Sequence, residues 1–296
     1  MSPPRPTSLR PFEPADSDAV VALSRHALAR PEEQVGSPLW ASSGDLEDEL
    51  AAWAVDPGQT LRVIEDDGEL AGFGGVRAGG EATVVGPLVG THFRGRKFGS
   101  TLLEASIELA REHECEWLHA AVGTRNVGGR MLLERYGFRS HEGVDAVYRL
   151  LPADHRPAGP PPPGVEVRAG APSDLARIWD LYRRGFPVGR RTEEVWNRWL
   201  AGGEVVVAER GGEVVAYLHI EPGARWITHV GVAEEERGLG VGGYLFSRAV
   251  EEWWLRRPET ELRLSVKPYN TPALRVYRRL GFAPWIVLQA FERQVQ

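Results

Sequence analysis

The stretch ERGLGVGGYLF, residues 236–246, combines residue types and spacing that suit binding of a phosphate group. Its glycines Gly238, Gly240 and Gly243 satisfy the pattern G-x-G-x-x-G. A helix N-terminus offers unpaired backbone N–H groups and a positive dipole, and glycine adds no Cβ that would collide with a phosphate. The stretch therefore predicts a phosphate-binding turn, but one match of this kind does not identify the ligand.

The elements that must position this turn occur twice along the chain. Each copy begins with a short strand, a turn and a capped helix, from Leu9 and from Val167, and continues through a hairpin with an acidic, glycine-containing turn. A strand then runs through an arginine and glycines into an amphipathic helix, so that Arg94 corresponds to Arg237. A strand, a short helix and a closing strand complete each copy. This order predicts an α/β fold with a mixed sheet, repeated once.

A proline-rich stretch, LPADHRPAGPPPPGVE at residues 151–166, lies between the copies. Consecutive prolines cannot continue a helix or a central strand and favour an extended path. The sequence predicts domains at residues 1–151 and 165–296 with a linker at 152–164. A length of 296 residues suits two cores of ordinary size.

Composition argues against several classes of protein. The net charge of −6 and the lack of a basic tail argue against a nucleic-acid partner. One cysteine, Cys115, and eight histidines without paired metal-ligand spacing predict no metal site. No apolar run is long enough for a membrane span and the N-terminus has no apolar signal-peptide centre, so we expect a cytoplasmic protein without a membrane partner.

The repeated order of elements resembles the GNAT acetyltransferase superfamily, twice over. The family's R-x-x-G-x-G signature is present at Arg237, Gly240 and Gly242. A second signature is formed by Asn270, Ala273, Tyr277, Gly281 and Phe282. The resemblance covers nearly the whole chain except the linker and the extreme termini, and the tandem arrangement is similar to that of mycothiol synthase. It implies two tandem acyl-CoA N-acyltransferase domains.

The resemblance also implies a coenzyme site, with acetyl-CoA as cosubstrate. In this family the two central strands splay apart and the pantetheine arm pairs with the exposed strand backbone, here around Val230 to Val232. The expected coenzyme contacts in the C-terminal domain are Val230, Val232, Arg237, Gly238, Leu239, Gly240, Val241, Gly242, Gly243, Asn270 and Tyr277. The corresponding positions in the N-terminal domain are Val89, Arg94, Gly95, Lys97 and Gly99.

Acetyl transfer by direct attack needs an uncharged amine, a donor to the developing oxyanion and a proton for the leaving thiolate. By resemblance, the backbone N–H of Val230 is the donor to the acetyl carbonyl and Tyr277 is the acid. Tyr277 has an alternative role as an aromatic residue on the core side of its helix. Asn270 either orients the coenzyme or caps that helix.

The base is less clear from the residues. Side chains alternate between sheet faces. The family register, placed on this chain by Arg237, implies that Trp226 and Thr228 point toward the substrate and His229 away from it. Glu221 is our predicted base, acting through water, and His219 is the alternative. A surface or packing role remains open for each of them.

The two copies differ at positions that matter for this chemistry. Lys97 replaces a motif glycine, Leu133 stands where the second copy has its tyrosine, and Pro87 falls at the position of Val230. Proline has no N–H to donate. We therefore expect a catalytically degenerate N-terminal domain, which retains Arg94 and Lys97 for a contact with phosphate.

The sequence thus predicts an N-acetyltransferase that transfers acetyl from acetyl-CoA to a primary amine, with its chemistry in the C-terminal domain. The acceptor is a small molecule or a peptide, and the protein is a monomer or a homodimer. A non-catalytic acyl-CoA sensor or binding scaffold is the alternative. A dinucleotide-binding domain is disfavoured, because Glu261 begins the next strand where a ribose-binding acid would end it.

Overall fold

The chain folds into two compact units in a computed structural model, which describes residues 7–295 except 52, 54, 79–81, 141, 142, 188–190, 222, 224 and 259. The first unit comprises Met1–Ala146 and Ile286–Gln296, and the second comprises Val147–Trp285.

Helices and strands follow the order expected of the first copy. They are β1 (Ser8–Pro11), α1 (Ser17–Leu28), α2 (Ser43–Ala51), α3 (Pro57–Thr60), β2 (Leu61–Asp66), β3 (Glu69–Arg77), β4 (Ala82–Val89), α4 (Phe98–Glu112), β5 (Trp117–Gly123), α5 (Val127–Arg135), β6 (Arg139–Ser140) and β7 (Asp145–Leu150). Strands β1 to β4 pair antiparallel in sequence order, and β4 pairs parallel with β5.

The second copy repeats this pattern. Its elements are β8 (Val165–Ala169), α6 (Leu175–Gly185), α7 (Glu193–Ala201), β9 (Val205–Arg210), β10 (Glu213–Glu221), β11 (Trp226–Val232), α8 (Val241–Arg256), β12 (Leu262–Val266), α9 (Thr271–Arg279) and β13 (Ala283–Gln294). Strands β8 to β11 pair antiparallel, and β11 pairs parallel with β12. The mixed α/β class and the duplication are confirmed.

The same ion pair holds the start of each copy. Arg10 contacts Asp16 at 2.7 Å in the first unit, and Arg168 contacts Asp174 at 2.7 Å in the second. Each aspartate also accepts a hydrogen bond at 2.8 Å from the backbone three residues before it. These bonds tie the first strand of each copy to the turn that starts the first helix.

The closing strand β13 does not stay with the copy that precedes it. Its residues Leu288–Gln294 pair antiparallel with β5, and Phe291 is 1% exposed in the core of the first unit. This pairing lies on the side of β5 opposite to β4, and so covers a strand edge that would otherwise be open. The sequence placed each closing strand in chain order and did not anticipate this pairing; the boundaries at 151 and 165 stay a prediction.

None of the helices in the described part of the chain has the length and hydropathy of a membrane-spanning segment.

Candidate active site

A cleft opens between the two central strands of the second unit. Along the described strands, β11 pairs with β12 at Trp226↔Arg263 and Ile227↔Leu264, and the pairing ends there. From Thr228 onward β11 keeps its antiparallel neighbour β10 on one side only. The strands therefore splay apart with Thr228 at the apex, as the resemblance implied.

The backbone of β11 offers hydrogen-bonding groups to this cleft. The N–H of Ala233 donates to the carbonyl of Val215 at 2.8 Å, in line with the register Tyr217↔Gly231. Hydrogen-bonded and non-bonded pairs alternate along an antiparallel ladder. The N–H and C=O groups of Val230 and Val232 therefore point away from β10 and into the cleft, which is the arrangement that a strand-like pantetheine arm requires.

The glycine turn lies at the end of this strand. Gly238 and Gly240 hold left-handed conformations, with φ of 81° and 86°. A Cβ at Gly238 would meet no heavy atom within 4 Å, and one at Gly240 would meet only Pro162 at 3.7 Å. The turn thus faces open space, and glycine supplies its positive φ at no steric cost.

Helix α8 starts directly after this turn, with Gly240 as its N-cap and with no side chain capping it. Its first backbone bond runs from the N–H of Tyr244 to the carbonyl of Gly240 at 3.0 Å. The N–H groups of residues 241–243 therefore point out of the helix end. They fit the pyrophosphate of a coenzyme, and exposed Arg237 precedes the turn.

Tyr277 lies on α9 and packs between two aromatic rings. Its ring centroid is 5.3 Å from that of Phe246 and 5.9 Å from that of Phe282, yet the residue stays partly exposed. Burial raises the pKa of Tyr277 to about 12. The phenol is therefore protonated and able to donate a proton near neutral pH, so packing and acid roles are compatible.

Asn270 caps α9. Its side chain accepts a hydrogen bond from the N–H of Ala273 at 3.3 Å. The capping role is confirmed, and a contact with the coenzyme stays a prediction.

A β-bulge changes the side-chain order on β11. His219 lies opposite His229, but the next residue of β10, Ile220, lies opposite Ile227, so Thr228 is an extra residue. Two residues of a bulged strand oppose one on its partner. The Oγ1 of Thr228 accordingly contacts Nδ1 of His229 at 2.8 Å and Nδ1 of His219 as well. The expectation that Thr228 and His229 are separated by strict alternation is wrong.

His229 is enclosed by aromatic rings. The centroids of Tyr182, Phe186 and Trp196 lie 5.3 to 5.5 Å from its own. Burial is the main cause that lowers the pKa of His229 to about 3, and the neighbouring side chains of His219 and Arg191 add to this effect. His229 is therefore neutral under ordinary conditions.

The tryptophans Trp196 and Trp199 of α7 have different surroundings. Trp196 is 0% exposed and packs against Tyr217. Trp199 is partly exposed and stacks on His219 with 3.8 Å between ring centroids. Glu221, the predicted base, lies opposite Trp226 at the end of β10 and is partly exposed. Its role stays a prediction.

Comparison with known proteins is consistent with this geometry. Residues 26–138 and 175–282 match the acetyltransferase (GNAT) family. The chain belongs to the GNAT family. Members of the family use acetyl-CoA as cosubstrate, and this protein is an N-acetyltransferase with two tandem GNAT copies.

Two curated relatives extend over nearly the whole chain. The mycothiol acetyltransferase of Sanguibacter keddieii is 28% identical over 299 residues, covering 92% of this chain and 91% of the relative. The mycothiol acetyltransferase of Thermobispora bispora is 28% identical and covers 95% and 97%.

Two solved structures show the same fold. A GCN5-related N-acetyltransferase from Sphaerobacter thermophilus has a TM-score of 0.74 at 22% identity, covering 98% of this chain and 96% of the other. A tandem GNAT protein from the clavulanic acid biosynthesis pathway has a TM-score of 0.66 at 19% identity, covering 98% and 99%.

The first GNAT copy keeps the cleft but changes its lining. Strands β4 and β5 pair at Ala82↔Leu118 and Thr83↔His119, and Gly90 donates to Ala71 at 2.9 Å. By the same alternation the backbone of Val89 faces the cleft. Pro87, two residues earlier, has no N–H at the position corresponding to Val230.

The phosphate turn of the first copy is also retained in altered form. Lys97 takes the left-handed N-cap position of α4 with φ of 64°, and Gly95 faces open space with φ of 78°. Leu133, where the second copy has its tyrosine, is 3% exposed. The first copy thus lacks the side chain proposed as the acid.

Arg94 of the first copy is held by an ion pair that the sequence did not reveal. Its Nη2 lies 2.6 Å from Oε2 of Glu33, whose side chain is 8% exposed. Burial raises the pKa of Glu33, but the hydrogen bond and charge of Arg94 outweigh it and the pKa ends below its usual value. Glu33 lies in a loop before α2, where no periodic pattern marks it.

The described residues contain no cluster of His, Cys, Asp and Glu side chains arranged to hold a metal ion.

Proposed function

We propose that this protein transfers the acetyl group of acetyl-CoA to the primary amine of a small molecule, and that the second copy carries out the reaction. One observation carries the proposal: the cleft-facing backbone of Val230 and Val232, the open turn at Gly240 and a protonated Tyr277 occur together in the second copy. The relatives named mycothiol acetyltransferase support a small-molecule acceptor.

The residues of the second copy have distinct tasks in this reaction. The amides of residues 241–243 and Arg237 hold the pyrophosphate, and the backbone of β11 aligns the pantetheine arm. The amine nitrogen attacks the thioester carbon, and the N–H of Val230 donates to the carbonyl oxygen as it becomes negative. The C–S bond then breaks and Tyr277 supplies the proton that the thiolate takes up.

Binding is tested by calorimetric titration of acetyl-CoA into the full chain. The full chain is required because residues Leu288–Gln294 pair within the first unit. We expect Gly240→Val to abolish binding at the second copy, since a β-branched residue does not tolerate positive φ. The matched variant Gly95→Val changes the corresponding turn of the first copy and is expected to leave that binding intact.

Transfer is tested by following release of the coenzyme thiol with a panel of primary amines, beginning with the acceptor of the mycothiol acetyltransferases. Release that depends on an amine and is lost in Gly240→Val supports the proposal. Binding without turnover on any amine would instead favour the acyl-CoA sensor, and absence of binding to folded protein would contradict both functions.

A further inference from the structure

Four polar side chains of the second copy form a continuous hydrogen-bonded chain: Glu204, His219, Thr228 and His229. Nε2 of His219 lies 3.2 Å from Oε2 of Glu204, and Nδ1 of His219 contacts Oγ1 of Thr228. That same oxygen lies 2.8 Å from Nδ1 of His229. His219 itself is 0% exposed, so the chain passes through the protein interior.

The chain meets the reaction cleft at Thr228. Pairing between β11 and β12 ends at Ile227, which leaves Thr228 at the apex where the strands separate. Val230, whose N–H faces the acetyl carbonyl in the proposed reaction, follows two residues later, about 7 Å along the strand. Thr228 is partly exposed.

The Glu204 end reaches a second opening of the unit. Glu204 lines a cavity of about 140 Å³ together with Glu252, Arg256 and Arg257, and its side chain is 27% exposed. A proton that arrives at Glu204 can therefore leave to solvent.

Each hydrogen bond of the chain donates in the direction of Glu204. A carboxylate only accepts, so Nε2–H of His219 donates to Glu204 and leaves Nδ1 as an acceptor. The hydroxyl of Thr228 then donates to that Nδ1. Its oxygen accepts the Nδ1–H of His229 and keeps one lone pair for a substrate N–H.

We propose that Thr228, His219 and Glu204 form the relay that removes the proton from the acceptor amine. This inference rests on the proposed function of the same site. The acceptor arrives as an ammonium ion and passes its extra proton to Oγ1 of Thr228, which frees the nitrogen lone pair to form the C–N bond. The proton of Thr228 moves to Nδ1 of His219, and the Nε2 proton of His219 moves to Glu204. After Glu204 releases that proton to solvent, His219 returns to the tautomer that is protonated at Nε2.

His229 is a positioning residue in this scheme. The low pKa that burial gives it keeps it neutral, so it serves as a single-proton donor that orients the hydroxyl of Thr228. Trp199 stacks on His219 and fixes its ring plane. Among the described residues, Tyr182 on α6, Tyr217 on β10 and Arg191 before α7 are titratable groups near the histidine end of the relay, and Glu252, Arg256 and Arg257 share the cavity with Glu204.

The described residues at the corresponding positions of the first copy do not have the side chains of this relay. In the first copy Leu61 pairs with Gly75, and in the second copy Val205 pairs with His219. Glu204 and His219 of the second copy therefore correspond to Thr60 and Gly75 of the first. With Arg94 matched to Arg237, Thr228 and His229 correspond to Val85 and Gly86. The relay therefore occurs in the copy that also has the tyrosine and the Val230 N–H.

Kinetics of Thr228→Val test the relay, with an amine that the wild-type protein acetylates. We expect kcat at pH 7 to fall about 10²-fold while the KM for acetyl-CoA stays the same. The loss should shrink as the pH approaches the pKa of the amine, because the acceptor then arrives neutral. Thr228→Ser keeps the hydroxyl and should restore kcat. Thr83→Val makes the same substitution on β4, the corresponding strand of the first copy, and serves as the control. Unchanged kcat in Thr228→Val overturns the relay.

Histidine tautomers provide a test that needs no turnover. In ¹⁵N-histidine spectra of the full chain, the relay requires His219 protonated at Nε2 and His229 at Nδ1. Assignment of the proton of His219 to Nδ1, or to both nitrogens at pH 7, overturns it. Wild-type protein that binds acetyl-CoA and acetylates no amine overturns the proposed function and the relay together. Active wild-type protein with an unchanged Thr228→Val variant overturns the relay alone.

Discussion

Lys97 and Gly240 occupy the same left-handed conformation at corresponding helix N-termini, with φ of 64° and 86°. Glycine adopts this conformation freely, whereas a residue with a Cβ pays about 1–2 kcal/mol. The first copy thus retains the shape of a phosphate turn even though its sequence departs from the family signature.

Lys97→Gly is expected to stabilise the first unit, because it removes this backbone penalty. We expect about 1 kcal/mol, or a rise of roughly 2–4 °C in the temperature of unfolding. Thermal unfolding followed by circular dichroism measures the change. The reverse exchange, Gly240→Lys, should lower the unfolding temperature by a similar amount, and a drop in Lys97→Gly would show that the lysine side chain stabilises the turn by contacts of its own.

Tyr277→Phe is expected to lower kcat about 10²-fold and to leave the Kd of acetyl-CoA unchanged, because it removes the proton donor and keeps the ring that packs on Phe246. Burial raises the pKa of Tyr277 to about 12, so the phenol keeps its proton up to about pH 11. Deprotonation of Tyr277 should therefore not lower activity below that pH. Thiol release across pH 6 to 10 measures both effects.

Tyr136→Phe is the control for this experiment. Tyr136 lies in the first copy, and its hydroxyl bonds to Glu104. Its removal should leave kcat unchanged. Equal kcat in Tyr277→Phe and wild type would assign Tyr277 a packing role only.

Local sequence patterns predict much of this architecture. The repeated elements, the glycine turn and the Asn270 cap each depend on residues close together in the chain, so spacing alone predicts them. The splay of β11 from β12 followed from family resemblance, and no local pattern encodes it.

The parts that sequence reasoning missed depend on distant residues. The bulge at Thr228 is set by the register of β11 against β10, and strict alternation gives the wrong neighbours once a bulge is present. Glu204 reaches His219 from a loop 15 residues earlier, and Glu33 reaches Arg94 from a loop 61 residues earlier. A carboxylate in a loop has no periodicity from which its partner can be inferred.

His229 should make stability depend on pH. Its folded pKa of about 3 lies below the ordinary value of 6.5, so the unfolded chain binds the proton more readily. This contribution to stability is fully present above pH 6.5 and is lost as the pH falls from 6.5 toward 3. Between pH 7 and pH 5 the loss amounts to about 2 kcal/mol.

Urea unfolding of wild type and His229→Gln at pH 7 and pH 5 isolates this effect. All other titratable groups are shared by the two proteins. The difference between wild type and variant in how the free energy of unfolding changes with pH therefore reports on residue 229. We expect the variant to lose about 2 kcal/mol less over this interval. His92→Gln, at an exposed position in the first copy, should keep the wild-type slope. Parallel slopes for His229→Gln and wild type would mean that His229 is not held neutral by burial.

The corresponding arginines Arg94 and Arg237 should respond in opposite ways to replacement by alanine. Arg94 pairs with Glu33, so Arg94→Ala leaves a largely buried carboxylate without its closest cation. We expect a loss of about 1–3 kcal/mol in the free energy of unfolding, with acetyl-CoA binding unchanged. Arg237 is exposed beside the open glycine turn, so Arg237→Ala should leave stability nearly unchanged and weaken acetyl-CoA binding about tenfold.

Urea unfolding and calorimetric titration of both variants separate the two roles. Glu33→Gln is informative for the first copy, because a neutral amide no longer holds Arg94 by charge and frees it for phosphate. A second acetyl-CoA site in Glu33→Gln would show that the ion pair keeps the first copy from binding. Weaker binding in Arg94→Ala than in wild type would show instead that Arg94 already contacts the coenzyme, and would contradict the assignment of binding to the second copy.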